Sequence, residues 1–255
     1  TGLFFLIAAI PTFLWVREQT PPRALPGGET YLKIGLKRLK RTLRDIRDYK
    51  DLIVLLSSFF FAYAGLSIVI SFAFIYGDQV IRWSGKTQIL MFVITQFTAA
   101  GGALLFGILQ DTWGAKRTFI LTLIIWVAAV SLIYGVAPVT AWVSSLLGTP
   151  LREEHIFLII GSIAGLGLGS TQSACRAMVG LFSPDTKAGE FFGLWSLTSR
   201  LSAIVGLMGL GLLQTLFGLH QAILVCSAFF LIAVVIVLFV DEERGKKTAR
   251  FHAGE

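Results

Sequence analysis

The stretch LIVLLSSFFFAYAGLSIVISFAFIY, residues 52–76, carries no charged side chain. It exceeds the roughly 20 apolar residues that an α-helix needs to cross the ~30 Å hydrocarbon core of a bilayer. Five further apolar segments follow, at 87–109, 118–137, 156–180, 191–216 and 219–240. Their continuous apolarity does not fit membrane β-strands, which are about 10 residues long and alternate. The fold class expected is therefore an all-α polytopic membrane protein. Composition agrees: 55% of the 255 residues are hydrophobic, only 15% are charged, and the mean hydropathy is +0.76. Soluble chains carry about 25% charged residues, so most soluble enzymes are excluded.

The net charge of +7 follows membrane topology, and no nucleic-acid partner is expected. Lys and Arg accumulate in short loops on the cytoplasmic side of a membrane. With Arg17 inside, the inner loops and tail hold 17 basic residues, and the outer loops hold only Arg82, Lys86 and Arg152. That asymmetry places 17–51 and the tail from 241 in the cytoplasm of a multi-pass protein, with the bacterial inner (plasma) membrane as the expected location. Cys175 and Cys226 both lie in apolar segments, as small hydrophobes do. They offer no disulfide framework or zinc spacing.

Residues 1–16 read as the end of a transmembrane helix whose beginning is missing. The loop 17–51 starts irregularly, with Pro21, Pro22, Pro26, Gly27 and Gly28. After Thr30, a candidate helix cap, Leu32, Leu36, Leu39, Leu43 and Ile46 recur at helical spacing among seven basic residues. This predicts a basic amphipathic helix that either lies on the anionic inner leaflet or packs as a solvated linker. The external connection, residues 138–155, is expected to hold an interfacial turn of helix around Trp142.

Gly107, Leu109, Asp111, Gly114 and Lys116, followed by Arg117, form the loop between the second and third complete segments. Taken alone it is a short turn obeying the positive-inside bias. It resembles the cytoplasmic loop motif of the major facilitator superfamily, Gly-x-Leu-x-Asp-x-x-Gly-x-Lys, but lacks the basic residues of the fuller pattern at Thr112 and Ala115. A second stretch, Gly169 to Ala177 with Gln172, Ser173 and Arg176, is followed by Glu190-Phe191-Phe192-Gly193-Leu194 and Arg200. It resembles the vacuole-effluxer branch of that superfamily, relatives of an autophagy protein that exports amino acids. The resemblance implies a six-helix half of a 12-helix bundle. Residues 1–16 would be the end of helix 6, 17–51 the central loop, 52–240 helices 7 to 12, and 241–255 the tail. It also implies a missing N-terminal half as partner, and a gate role for Gly107, Asp111, Gly114, Lys116 and Arg117.

Gly161, Gly165 and Gly169 form a small-residue stripe for close helix packing, and Gly193 is expected to pack similarly. Gln172 and Arg176 share a helix face. Gln172 and Ser173 either orient a solute or join helices, and Arg176 either serves the pathway or snorkels to the interface. Arg200 lies ten residues past Glu190, about 15 Å along the helix and near mid-membrane. An arginine there faces a counter-charge, a cavity or an anionic solute such as a carboxylate. Ser196, Tyr63 and Gln96 complete the candidate pathway. Ser67, Ser71, Thr95 and Thr98 are more simply explained by bonds to their own helix backbone.

The function expected is secondary transport of a small solute, with efflux as the direction and an amino acid or another carboxylate as the solute. The alternative is a non-transporting receptor or assembly protein on a transporter scaffold. No metal, cofactor or catalytic constellation is expected, because His155 and His220 fall near the outer surface and His252 in the tail, which leaves no His pair within the spans.

Overall fold

The computed structural model describes residues 2–15, 30, 33, 35, 46 and 49–251. The basic amphipathic helix expected after Thr30 and the tail residue His252 lie outside the described residues. The chain divides into two compact units, Thr1–Arg41 and Thr42–Glu255. In the first, α1 (Gly2–Trp15) is a 14-residue apolar helix containing Pro11.

The second unit is all helix among the described residues. It comprises α2 (Lys50–Tyr76), α3 (Gly85–Trp113), α4 (Ala115–Tyr134), α5 (Val136–Leu147), α6 (Glu153–Phe182), α7 (Ala188–Phe217), α8 (Leu219–Leu238) and α9 (Glu242–Phe251). A π-helical turn, Gly77–Ile81, prolongs α2, so that six helices, α2, α3, α4, α6, α7 and α8, are long and apolar enough to cross a membrane. Each encloses most of one apolar segment of the sequence, because a chain in hydrocarbon must satisfy its backbone polar groups within its own helix. The ends carry polar signals. Ser84 caps α3 by accepting the Thr87 N–H at 3.2 Å, and Glu153 and Glu154 occupy the first turn of α6, where the helix dipole favours negative charge.

The segment expected to run from 118 to 137 stops earlier, at Tyr134. Pro138 has no N–H to give the Tyr134 carbonyl, and its ring would crowd that group. The chain turns at Gly135, and α5 begins as a separate 12-residue helix. The interfacial turn expected around Trp142 is thus three full turns, with Trp142, Leu146 and Leu147 exposed.

The helices pack with an internal two-fold pattern. α2 lies between α7 and α8, α6 lies between α3 and α4, and α4 packs on α8. Exchanging α2 with α6, α3 with α7 and α4 with α8 leaves this scheme unchanged. Three crossings return the chain to the opposite side, so the second trio is inverted, as in the nested repeats of many transporters. The tight turns agree. Gly114 joins α3 to α4 at φ 91°, ψ 155°, and Gly218 joins α7 to α8 at φ 81°, ψ 163°. Each glycine N–H bonds the carbonyl of a glutamine four residues earlier, Gln110 or Gln214. A side chain at either glycine would be strained by the positive φ.

The core lies where α2, α4, α6 and α8 meet. Trp126 of α4 stacks on Phe230 of α8 with ring centroids 5.5 Å apart and donates its Nε1–H to Thr171 of α6 at 3.1 Å. Ser58 of α2 donates to the Ala233 carbonyl of α8 at 2.7 Å. α3 and α7 are the least buried of the six spans.

Gly102 of α3 and Gly165 and Gly169 of α6 sit where a side chain would run into backbone of the facing helix, at Leu166, Thr95 and Ala99. Gly161 lies against the Met91 side chain. Gly193, expected to pack likewise, has nothing within 4 Å of where its Cβ would stand. The pair makes a test. Gly169→Val should lower the thermal midpoint in detergent by several degrees, since overpacking costs about 1–3 kcal/mol. Gly193→Ala should raise stability by about 0.5–1 kcal/mol, the helix preference for Ala.

Candidate functional site

Along α6 the glycine stripe gives way to larger polar residues on the same face. Gly169 touches α3, and from the next turn on Gln172, Ser173 and Arg176 line the space between the two helices. The result is an open groove of about 600 Å³ between α3 and α6, lined by Gln96, Ala99 and Ala103 on one side and by Leu168, Gly169, Gln172, Ser173, Arg176 and Ala177 on the other. Its lining has one cation, Arg176, two amides and a hydroxyl, and no carboxylate. Gln96 and Leu168 also line an apolar pocket of about 220 Å³, whose walls include Phe74, Trp83, Phe92 and Phe157.

The structure thus brings together Gln96, Gln172, Ser173 and Arg176. The Arg176 guanidinium also stands 5.9 Å from the ring centroid of Trp195 on α7, a cation–π contact. Tyr63 of α2 also approaches that indole, the ring centroids 6.4 Å apart. Ser196 and Arg200 are exposed on α7 and are not among the groove's lining residues. Ser67, Thr95 and Thr98 donate to carbonyls of their own helices.

The loop motif builds a separate cluster. Gly114 turns the chain so that Lys116 reaches the end of α8, where its Nζ donates to the carbonyls of Leu238 (2.9 Å) and Val240 (2.7 Å). A cation there complements the helix dipole. The Lys116 N–H donates to Glu242 Oε2 at 3.1 Å. α9 is held on its other flank by Asp51, buried at the start of α2. Its carboxylate accepts from Arg244 Nε at 2.6 Å and Nη2 at 2.8 Å, and from the Asp241 N–H at 2.8 Å. Gly245 lies against Phe182 at the end of α6. α9 therefore clamps four helix ends. Gly107 faces open space, and Asp111 and Arg117 are exposed.

Sequence reasoning missed Asp51, Glu242 and Arg244. The available signal was the charged run Asp241 to Arg244 directly after the last span, with Asp51 directly before the first complete one. Burial pushes the Glu242 carboxyl up, but the Lys246 ammonium and the N–H groups of Lys116 and Ala115 outweigh it and hold Glu242 below its ordinary 4.5. Hydrogen bonding and charge from Asp51 raise Arg244 further.

The fold defines a multi-pass membrane protein built from inverted three-helix units around a polar groove. The family model described as vacuole effluxer Atg22 like matches residues 1–250, and the chain belongs to that family. It is 24% identical to autophagy-related protein 22-1 of Aspergillus niger over 97% of this chain and 41% of that protein. It is 23% identical to autophagy-related protein 22 of Yarrowia lipolytica over 98% and 45%. An uncharacterized MFS-type transporter, YxiO of Bacillus subtilis, is 26% identical over 82% and 45%. The chain thus spans less than half the length of these relatives. No solved structure matches.

Two outcomes test the clamp. Asp51→Ala should lower the thermal midpoint of the bundle, because the Asp241 N–H loses its acceptor and the Arg244 guanidinium its partner. Glu242 binds fewer protons folded than unfolded, so its contribution is complete above pH 4.5 and is lost as pH falls through its lowered value. Limited proteolysis should find α9 protected at pH 6 and progressively more susceptible as the pH falls below 4.5.

Proposed function

We propose that this chain is the six-helix C-terminal half of a secondary transporter that exports a small solute by alternating access. The observation that carries the proposal is the groove between α3 and α6, which gathers Gln96, Gln172, Ser173 and Arg176 on the least buried side of the bundle. Membership of the vacuole effluxer family and the six apolar helices support it. Inverted three-helix units lining a midplane site are the architecture on which secondary transporters rock.

Helices α2 to α8 would be helices 7 to 12 of the whole protein with α5 as an external extra. Residues 1–16 would belong to helix 6, 17–51 to the cytoplasmic central loop and 241–255 to the cytoplasmic tail. The other six helices would close the groove into a pathway. The membrane proposed is the bacterial inner membrane, oriented with α9 inside by the 17 basic residues on that side.

A groove with one cation, neutral donors and no carboxylate suits a solute with an anionic end, so an amino acid or another carboxylate is proposed. Arg176 takes the carboxylate, Gln172 and Gln96 orient the rest, and Ser196 and Arg200 face the partner half from α7. Gly114 and Lys116, braced by α9, keep the cytoplasmic ends of this half together while it moves. No step calls for a metal or cofactor.

The test is flux through the full-length protein in proteoliposomes, with labelled amino acids and small carboxylates offered singly. Arg176→Gln should lower the transport rate at limiting solute at least tenfold and leave the thermal midpoint within about 2 °C, since a surface-groove change leaves packing intact. No flux for any solute would favour the receptor or assembly reading.

A further inference from the structure

We infer that the solute is an apolar monocarboxylate: its carboxylate pairs with Arg176 in the α3–α6 groove, and an aromatic or branched body without an ammonium group fills the adjoining apolar pocket. This rests on the groove being the solute pathway, and names the class of solute that fits it.

Pocket and groove lie on one pair of helix faces. On α6, Phe157, Gly161, Ala164 and Leu168 line the pocket, and Leu168, Gln172 and Arg176 line the groove. These positions follow one another at steps of three or four residues, a single stripe of an α-helix. On α3, Phe92 and Gln96 belong to the pocket, and Gln96, Ala99 and Ala103 to the groove, again one stripe. Gln96 and Leu168 stand at the junction. The lining is therefore continuous and changes there from apolar to polar, an order that an amphiphile matches.

The walls set what the pocket accepts. Protein interiors hold few voids larger than a water, and an apolar cavity of about 150 Å³ already admits benzene. At about 220 Å³ this pocket takes a phenyl ring or a branched alkyl group. Val69, Trp126 and Phe157 are its buried walls, and Ile70, Phe74 and Phe92 are exposed and open it to the outside of the bundle. Its polar groups are mostly spent within the protein: the Thr95 hydroxyl donates to the Met91 carbonyl and the Trp126 indole to Thr171. The Trp83 N–H is left without a partner.

Charge decides the head group. Neither lining contains Asp or Glu, and Arg176 has no ion-pair partner among the described residues. A monocarboxylate brings the site to zero net charge. A zwitterion leaves its ammonium without a counter-charge from this half, and an unneutralised charge is costly at membrane depth. Length agrees. Leu168 and Arg176 are eight residues apart, about 12 Å along the axis, and helical side chains lean toward the N-terminus, here from Arg176 toward Leu168. A carboxylate on Arg176 thus reaches the pocket through a linker of a few bonds.

Matched pairs separate head from body. The full-length protein is purified, and thermal midpoints are recorded with hydrocinnamate against phenylalanine and isocaproate against leucine, each pair differing only in the α-ammonium, and with acetate. Each deaminated acid should reach its half-maximal shift at about tenfold lower concentration than its amino acid or acetate, and Arg176→Gln should give no shift. Ala164→Leu narrows the pocket from α6, and Phe92→Ala removes an exposed wall on α3. Either should raise the hydrocinnamate requirement about tenfold, the scale of a changed apolar contact, and leave that of acetate unchanged; Phe92→Ala carries the test if Ala164→Leu does not fold. Amino acids acting at concentrations equal to or lower than the acids overturn the inference. So do acids unaffected by both pocket variants, the pattern of a pocket filled by lipid or by the rest of the chain. In both cases a shift that depends on Arg176 leaves the groove reading standing, whereas a parent that no compound stabilises overturns both.

Discussion

Backbone-to-backbone contact between α3 and α6, made possible by Gly102, Gly165 and Gly169, is the constraint on which the candidate site depends. Lipid tails are as apolar as leucine, so burying apolar surface does not draw two helices together in a bilayer. Close approach through small residues supplies dispersion contact instead. Where the stripe ends, Gln172, Ser173 and Arg176 stand on the face that glycine occupied one turn before. From there on the two helices bound an open groove.

The internal two-fold explains why chemistry collects at two places. The Gly114 and Gly218 turns share a backbone path, yet only the Gly114 end carries a lysine two residues on. Lys116 closes over the end of α8, and α9 completes the clamp through Glu242 and the Asp51–Arg244 pair. The equivalent position at the Gly218 end is His220, stacked on Tyr134 with centroids 4.4 Å apart. One end is tied by charge and the other by aromatic packing. Each tie links α4 or its start to α8, the pair behind the groove.

The six spans were legible in the sequence because apolarity over 20 or more residues has one physical solution in a bilayer. The break at Gly135 was also readable, since Pro138 excludes a helical bond to Tyr134, but unbroken apolarity concealed it. The candidate site was half legible. Spacing along one helix fixes which residues share a face, so Gln172 and Arg176 belonged together. Spacing does not fix which way that face points. Arg200 stood out for its axial depth, yet its direction around α7 puts it outside the groove lining, whereas Gln96 and Trp195 reach Arg176's neighbourhood only through helix packing. Asp51 and Arg244 are 193 residues apart, a separation over which no local pattern carries.

The central claim is that solute runs along the α3–α6 groove past Arg176. Cysteine protection tests it most directly. Gln172→Cys and Arg176→Cys, each in the full-length protein, are reacted with a membrane-impermeant thiol reagent with and without transported solute. Native Cys175 and Cys226 are buried and contribute little background. The account predicts that solute slows labelling at both positions severalfold, whereas equal rates with and without solute at both would contradict it.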